Sequence, residues 1–517
     1  MTIVDPRIKE NPEFYKSINS RSRKSSDLTL FDDGSELVVV ISEEEVVEEG
    51  GNGDHSQIEK NPVEDYSIKN KISRRKKWFI LSIVALQGFI GPLTSSIYVP
   101  AIAQVRESFG ATTTSINATI SLYVFVMGFA PLLWASLSER HGRRAVYLLS
   151  SLLYVMTTIG CALSDRVSLF IALRAFQAIG ASASQAVGAG TITDLFEVHE
   201  RGNAMGLFLL GALIGPVLGP ILGGFINEFM SWRYIFWLLA ALGGITFILI
   251  LFFLPETSSM ILKRRAENLK IKKDTKYTKH YPEKTSHFKL KNEEKASTSM
   301  LRPFKLIVKP VVILSTTPYS IAYGFMYFVI ASLPHQLQSQ YNLSSYQIGL
   351  SYLANGIGNA MGAFFSGKLA DRALEKSADH LLEARLSPMW FGIFLLPVGQ
   401  LIYGWCVQLQ IHIAATLTGL FLLGLGVGVV QTPANTYVVD SYQKHSASVM
   451  GAANLMRCIS AGCTPLVAPT LIDNIGNGWS LTILAVISLL SGTCIFLVQR
   501  YGQHWREQFN HKKQNAS

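Results

Sequence analysis

Two arginines, Arg174 and Arg457, stand inside long apolar runs with no acidic residue at the same depth. A guanidinium keeps its charge at any physiological pH and is costly in an apolar medium, so each is expected to face a cavity or a partner. Snorkelling toward an interface is the plainer reading of Arg174. A cation so placed can sense a proton's position or shift the pKa of a nearby acid. The closest acids are Asp194 and Asp440, at the ends of apolar runs. We expect Asp440 to lie near Arg457 of the following run, and Asp194 and Asp440 to form protonatable pairs tied to the opening of a cavity. Two arginines without matching acids also tilt a binding site toward anionic or neutral solutes.

The remaining intramembrane polar residues carry no charge. Thr94, Ser95, Gln185, Tyr323, Tyr327, Asn355, Gln431, Asn435 and Asn454 are the candidate cavity residues, with Gln87, Tyr319 and Asn359 of the same kind. Amides and tyrosines on an aromatic background suit amphipathic organic molecules, held by stacking and a few adaptable hydrogen bonds. For each, helix-helix bonding is the plainer alternative.

The elements that must position these residues follow from composition. The 517 residues are 49% hydrophobic and only 16% charged, with a mean hydropathy of +0.27. A soluble globular domain of ordinary composition is excluded. At ~20 apolar residues per span, roughly twelve spans use about half the chain. The expected fold is an all-α polytopic membrane protein with twelve transmembrane helices in two pseudo-symmetric six-helix bundles. Apolar stretches of spanning length occur near residues 78–100, 115–137, 145–163, 167–190, 204–226 and 232–254, then 310–334, 346–367, 388–407, 411–435, 446–471 and 478–498. The implied organisation is a disordered tail (1–77), a first bundle (78–254), a basic linker (255–309), a second bundle (310–498) and a short tail (499–517). Leu37–Ile41 is too short to span.

The net charge of +10 reads as orientation signal, not nucleic-acid binding, because Lys and Arg flank the apolar runs. Their distribution places both termini and the 255–309 linker in the cytosol. The five Cys lie inside apolar runs without metal-ligand spacing, so neither a disulfide framework nor a metal site is expected. Asn342-Leu343-Ser344 is a formal glycosylation sequon in a short loop, expected to be unused.

Four segments carry mechanism. After the second run, Ala135-Ser136-Leu137-Ser138-Glu139-Arg140-His141-Gly142-Arg143-Arg144 sets an acid at a helix end among arginines, and Gly367-Lys368-Leu369-Ala370-Asp371-Arg372 repeats the pattern after the eighth. Such a loop can form a latch of charge-assisted bonds that breaks and re-forms as bundles rock; the plainer reading is a positive-inside loop. In the fifth run, Gly211, Gly215, Gly219 and Gly223 fall four apart on one face, with Gly224 adjacent, while Pro216 and Pro220 bend the helix. The fourth run contains Leu173-Arg174-Ala175-Phe176-Gln177-Ala178-Ile179-Gly180, and the first contains Gly91-Pro92-Leu93-Thr94-Ser95-Ser96-Ile97-Tyr98-Val99-Pro100. The halves echo one another: Thr193-Asp194 with Met205-Gly206 corresponds to Val439-Asp440 with Met450-Gly451, about 245 residues on.

Together these segments resemble the major facilitator superfamily and, within it, the fungal twelve-span drug:proton antiporters of the quinidine-resistance and dityrosine-exporter branch, from about residue 78 to 500. Ala135, Glu139 and Ala178 stand where that family has Gly, Asp and Gly. The resemblance implies that Glu139, Arg140, Arg143, Arg144, Asp371 and Arg372 gate the cytosolic side, that the Gly211 to Gly224 run is the antiporter motif, and that Arg174 serves proton coupling. It implies a proton-coupled antiporter of the plasma membrane that expels small amphipathic organic compounds by alternating access, a monomer in the lipid bilayer without an obligatory protein partner. Pro255-Glu256-Thr257 is followed by Ser258-Ser259 and not by the extension of sugar porters. No G-x-x-x-x-G-K-[ST] loop is present, so ATP is not the expected driver and neither enzymatic activity nor a cofactor is expected. The rivals are a physiological exporter of organic acids, amino acids or polyamines, an uptake symporter, and a non-transporting membrane receptor.

Overall fold

A computed structural model describes residues 30–32, 37–39, 72–197, 200–258, 261–262, 307–377, 382–442 and 446–514. The chain divides into two units, Met1–Glu64 and Asp65–Ser517. In the first, β1 (Leu30–Asp32) pairs antiparallel with β2 (Leu37–Val39), Leu30 opposite Val39. These residues depart from the expected unstructured tail. The short apolar run that cannot span finds its backbone partners in a hairpin instead. The acidic run at Glu43–Glu49 and the greater part of the 255–309 linker lie outside the described residues.

The second unit is helical throughout its described residues. α1 (Arg74–Ser96) is followed by a 3₁₀ turn at Val99–Ala101 and by α2 (Ile102–Phe109). Then come α3 (Thr113–His141), α4 (Arg143–Leu163), α5 (Val167–Leu195), α6 (Arg201–Phe229) and α7 (Arg233–Phe253). The second half contains α8 (Pro310–Tyr341), α9 (Ser345–Lys376), a 3₁₀ turn at Leu382–Leu386, α10 (Met389–Gln408), α11 (Ile413–Ser441), α12 (Ser446–Ile475), α13 (Asn477–Leu490) and α14 (Gly492–Gln514). Ten segments are long and apolar enough to cross a membrane, α1 with α2 and α13 with α14 each counting as one. α6 (29 residues) and α9 (32 residues) are also of spanning length, so the described residues hold twelve segments long enough to cross. The end that holds the start of α1 and the end of α14 is called the terminal end below; the other is the distal end.

The boundaries have local causes. Thr112 caps α3 by accepting from the Ser115 N–H at 3.2 Å. Ser344 and Gln347 form a reciprocal capping box at α9, and Pro310 opens α8. α3 breaks from α4 at Gly142, whose φ of 96° suits glycine and where a Cβ would strike the Glu256 carboxylate. The loops between α4 and α5 and between α10 and α11 are tight, as the spacing of the apolar runs requires.

Within the first half α1 packs on α6, α5 on α3 and α4, and α4 on α7; in the second, α8 packs on α12, α9 on α11, and α10 on α11 and α13. The halves meet through α3 against α12 and α6 against α9. Moving six crossings along the chain turns one of these contacts into the other, so the interface keeps the pseudo-twofold symmetry of the bundles. Large apolar side chains such as Phe252, Phe391 and Phe394 are exposed on the outer faces, where lipid replaces water as solvent.

Candidate functional site

Four helices, α1, α5, α8 and α11, share one burial pattern. Each has a stretch near mid-depth that is buried almost all round: residues 90–101 of α1 and the turn that follows it, 177–184 of α5, 324–334 of α8 and 423–430 of α11. In their terminal halves each has part-accessible positions. On α5 that stretch starts at Gln185 and on α11 at Gln431, and 431 − 185 = 246 residues separates them. Asp194 and Asp440, near the terminal ends of the same stretches, are also 246 apart (440 − 194). Gln185, Tyr323, Gln431, Asn435, Asn454 and Arg457 all keep accessible surface at or beyond mid-depth.

The distal end of the seam is shut by paired polar contacts. Asn117 of α3 donates from Nδ2 to the Pro465 carbonyl of α12 at 3.0 Å, and Asn227 of α6 donates from Nδ2 to Ser345 Oγ of α9 at 2.9 Å. Both asparagines are buried. Deeper in, Tyr327 of α8 and Ser95 of α1 approach one another across the seam, and Ser95 donates to the Pro92 carbonyl at 2.7 Å. Two depressions remain at this end. One of about 620 Å³ is lined by Arg106, Glu107, His335 and Gln338; a narrow one of about 60 Å³ lies between Asn117, Ser332, Gln336 and Asp473.

The glycines of α6 explain how its contacts are so close. A Cβ on Gly211 would meet the Ala85 carbonyl at 3.1 Å and one on Gly215 the Leu93 N at 2.9 Å; on Gly219 and Gly223 it would overlap Ser96 Oγ and the Ile97 carbonyl. This stripe therefore faces α1 inside one bundle. Gly224 points elsewhere, to the Ser345 carbonyl and to Gly349 Cα of α9 across the seam, and a Cβ on Gly349 would in turn meet the Pro220 carbonyl. The same short run thus seals one bundle and closes the distal gate.

Arg174 is fully buried. Its guanidinium lies 4.5 Å from the ring centre of Tyr98, 4.4 Å from Tyr123 and 5.9 Å from Phe236. It donates to Gln177 Oε1 at 2.8 Å and to the Thr94 carbonyl at 3.4 Å. Gln177 passes the network to Thr158 Oγ1 at 2.8 Å, and Thr94 Oγ1 bonds the Tyr154 hydroxyl at 2.7 Å. Among the described residues no carboxylate forms a salt bridge with it. Its charge is held by aromatic faces and carbonyl oxygens, which overturns both the snorkelling alternative and a place on the cavity wall.

Arg457 is held differently. Its guanidinium covers the Tyr323 ring at 4.4 Å and donates from Nη2 to Asn454 Oδ1. Tyr323 meets Tyr319 edge-on at 5.9 Å and Tyr327 at a tilt at 5.1 Å, making a three-ring ladder along α8. The expected Asp440–Arg457 pair does not form: Asp440 Oδ2 instead lies 2.9 Å from Arg385 Nε, because Asp440 is at the terminal end of α11 while Arg457 is set further into α12.

Ion pairs cluster at the terminal end, each inside one bundle. Arg143 lies 3.4 Å from Asp194 and donates from Nη1 to Ser138 Oγ at 2.6 Å. Glu256 accepts from the backbone N–H groups of Arg143 and Arg144 at 2.9 and 3.3 Å, and Arg144 reaches the Leu251 carbonyl at 2.8 Å. In the second bundle Arg385 bridges Asp371 at 2.7 Å and Asp440. Buried Glu383 takes a two-point bond from Arg506 at 3.0 and 2.7 Å and a third from the Tyr437 hydroxyl at 3.1 Å. The Arg143–Asp194 and Arg385–Asp440 pairs occupy corresponding places in the two halves, and Glu256 and Arg506 each tie the terminal end of a bundle's last crossing back to the start of its third. Arg140 and Arg372 are exposed, and Glu139 is half-buried.

This architecture is found in solved structures. The chain aligns over 84% of its length with a bacterial homologue of the human lysosomal transporter Spinster in an inward-facing, unoccupied conformation (TM-score 0.61, 14% identity, 99% of that chain). It aligns over 83% with the E. coli xylose transporter XylE in a partially occluded inward-open conformation (TM-score 0.61, 14% identity, 98% of that chain). The Major Facilitator Superfamily model matches residues 84–465.

The chain belongs to the Major Facilitator Superfamily.

Its curated relatives in the superfamily are fungal. The MFS-type transporter tndD of Aspergillus flavipes is 31% identical over 496 residues (92% of this chain, 88% of the relative). The efflux pump radE of Floropilus chiversii is 33% identical over 449 residues (83% and 81%). The protein is therefore a multi-pass membrane transporter and not an enzyme.

Within this superfamily fold the candidate cavity residues separate into two groups. Gln185, Tyr323, Gln431, Asn435 and Asn454 lie on part-accessible surface with Arg457. Thr94 and Asn355 do not. Thr94 belongs to the Arg174 cage, and Asn355 packs against Gly424 where α9 meets α11, so both are corrected from cavity lining to interhelical packing. Ser95 and Tyr327 are seam residues. Sequence reasoning did not single out the Tyr98, Tyr123 and Tyr154 cage, nor Glu383, Arg385 and Arg506. Glu383 and Arg385 follow the second loop signature closely, and that adjacency was the available signal.

Proposed function

We propose that this transporter is a proton-coupled antiporter that exports small amphipathic organic compounds by alternating access, with both termini cytosolic and the distal end facing outward across the fungal plasma membrane. The observation that carries the reading is the burial switch shared by α1, α5, α8 and α11: a mid-depth surface of amides and tyrosines that is sealed from the distal side and accessible toward the terminal side. In this orientation the structure stands with its cavity toward the cytosol, where an export substrate loads. Arg and Lys at the terminal ends follow the positive-inside rule.

The direction of transport is supported by relatives named as efflux pumps, radE among them, and by the α6 glycines, which let α6 serve the α1 contact and the outer seam together. For coupling, Asp194 and Asp440 occupy equivalent places, each with an arginine partner in its own bundle. Protonation of either would weaken its pair and free the segment joining the second and third crossings of that bundle to move. The gradient supplies ~2.3 kcal/mol per charge per 100 mV together with the pH term. The chain acts as a monomer, the substrate chamber being built within one polypeptide.

Accumulation of labelled amphiphiles in cells with and without the protein tests this. Lower accumulation that returns to the control level on adding a protonophore supports proton-driven export; accumulation raised by the protein identifies uptake and overturns it.

A further inference from the structure

The two intramembrane arginines look alike in sequence and are opposite in structure. Arg174 is sealed, with a buried Nε that no acceptor reaches. Arg457 sits among Tyr319, Tyr323, Tyr327, Asn454 and Cys458 deep in the second bundle, yet keeps accessible surface. It donates from Nη2 to Asn454 Oδ1, and the Tyr319 hydroxyl and Cys458 thiol lie close to the guanidinium. No Arg457 nitrogen is both buried and unpartnered. Tyr323 covers one face of the guanidinium and fixes its plane. Among the described residues no Asp or Glu forms a salt bridge with Arg457.

A guanidinium cannot shed its proton to escape desolvation, and cation–π and amide contacts offset only part of the cost. What remains is a fixed positive charge at a partly accessible position, oriented by the Tyr323 ring and without a carboxylate counter-ion among the described residues. Planar carboxylates match a guanidinium with two parallel charge-assisted bonds. The tyrosine ladder beside it offers aromatic faces for the rest of such a molecule.

Building on the export reading, we propose that Arg457 is the specificity-determining residue of the chamber and that the preferred substrates are amphipathic organic anions, aromatic carboxylates above all, whose carboxylate pairs with the Arg457 guanidinium while the ring lies along Tyr323 and Tyr327. The carboxylate supplies the counter-charge that the described residues do not provide. Asn454 accepts from the guanidinium and serves as a positioning residue.

The test uses full-length protein in sealed vesicles carrying a proton gradient, with three dyes: carboxyfluorescein (anionic), rhodamine 6G (cationic) and Nile red (neutral). Wild type is expected to move carboxyfluorescein in preference to the others. Arg457→Gln is expected to raise its half-saturating concentration about tenfold or more, the loss of one charge-assisted bond. Arg457→Lys, which keeps the charge but not the fork, is expected to fall between, and carries the test if Arg457→Gln does not elute as a single folded species. Movement of neutral or cationic dye with none of carboxyfluorescein, or carboxyfluorescein flux unchanged in both variants, overturns the anion inference and leaves the export reading standing. Absence of gradient-driven flux for all three dyes defeats both.

Discussion

Gly223 and Gly224 are neighbours on α6 with different jobs, and alanine at each separates them. At Gly223 the new methyl would overlap the Ile97 carbonyl of α1, a contact inside one bundle that persists however the bundles are disposed. At Gly224 it would meet the Ser345 carbonyl and Gly349 Cα of α9, a contact that exists only while the distal seam is closed. Both obstacles are backbone, so no rotamer change relieves them, and overpacking of this kind costs about 1–3 kcal/mol. Removing a helix-interior glycine returns about 0.5–1 kcal/mol, but equally in every conformation. Gly224→Ala therefore penalises the seam-closed state alone. At ~1.4 kcal/mol per factor of ten, its population relative to the open state falls roughly 5- to 150-fold. The reporter is Ser332→Cys, in the narrow distal cleft beside Asn117, in a background where the accessible Cys463 and Cys494 are serine. An impermeant maleimide added from the distal side is expected to label it faster in Gly224→Ala by up to that factor, and at an unchanged rate in Gly223→Ala, which loses thermal stability instead. Equal labelling in the two variants would refute the assignment of Gly224 to the gate.

Three further outcomes follow from the same geometry. Glu383→Ala leaves Arg506 and the Tyr437 hydroxyl without their shared acceptor; since Arg506 is 19% exposed, the low end of the buried-pair cost applies, about 3 kcal/mol, read as a lower melting temperature in detergent, with Glu383→Gln recovering part of it. An unchanged melting point would show that the network is not structural. Arg174→Lys loses the planar stacking on Tyr98 and Tyr123 and is expected to destabilise the first bundle by roughly 2 kcal/mol, so a neutral result in the same assay would count against the cage. Asp194→Asn and Asp440→Asn remove the charge from largely buried pairs while leaving an amide oxygen to accept, so each should cost about 1–3 kcal/mol of stability while slowing transport and shifting its pH profile; loss of folding without a change in pH profile would contradict a coupling role.

Which parts of this arrangement were legible in the sequence depended on range. Spans, hairpins and the duplicated halves could be read because a membrane imposes a length and a polarity on every helix, and the period-four glycines of α6 could be read because four residues return to one helix face. What those glycines face could not: Gly211 to Gly223 meet α1, over 120 residues earlier in the chain, and Gly224 meets α9, over 120 residues later. The two arginines show the same limit. Identical residue types at similar depth became a sealed cage and a partly accessible charge because Tyr98 comes from the turn after α1, Tyr123 from α3 and Phe236 from α7, and only packing brings them together. Asp440 was assigned to Arg457 from proximity in sequence, but the terminal end of α11 lies beside the 3₁₀ turn that carries Arg385, so the ion pair formed there.

Reconstituted flux is the most direct measurement. In vesicles with the terminal face outward and an acidic interior, the account predicts that an amphiphilic dye accumulates inside as protons leave, that the internal pH rises in step with dye entry, and that a protonophore abolishes both. Dye moving in the same direction as protons, or no dye movement under the gradient, would contradict it.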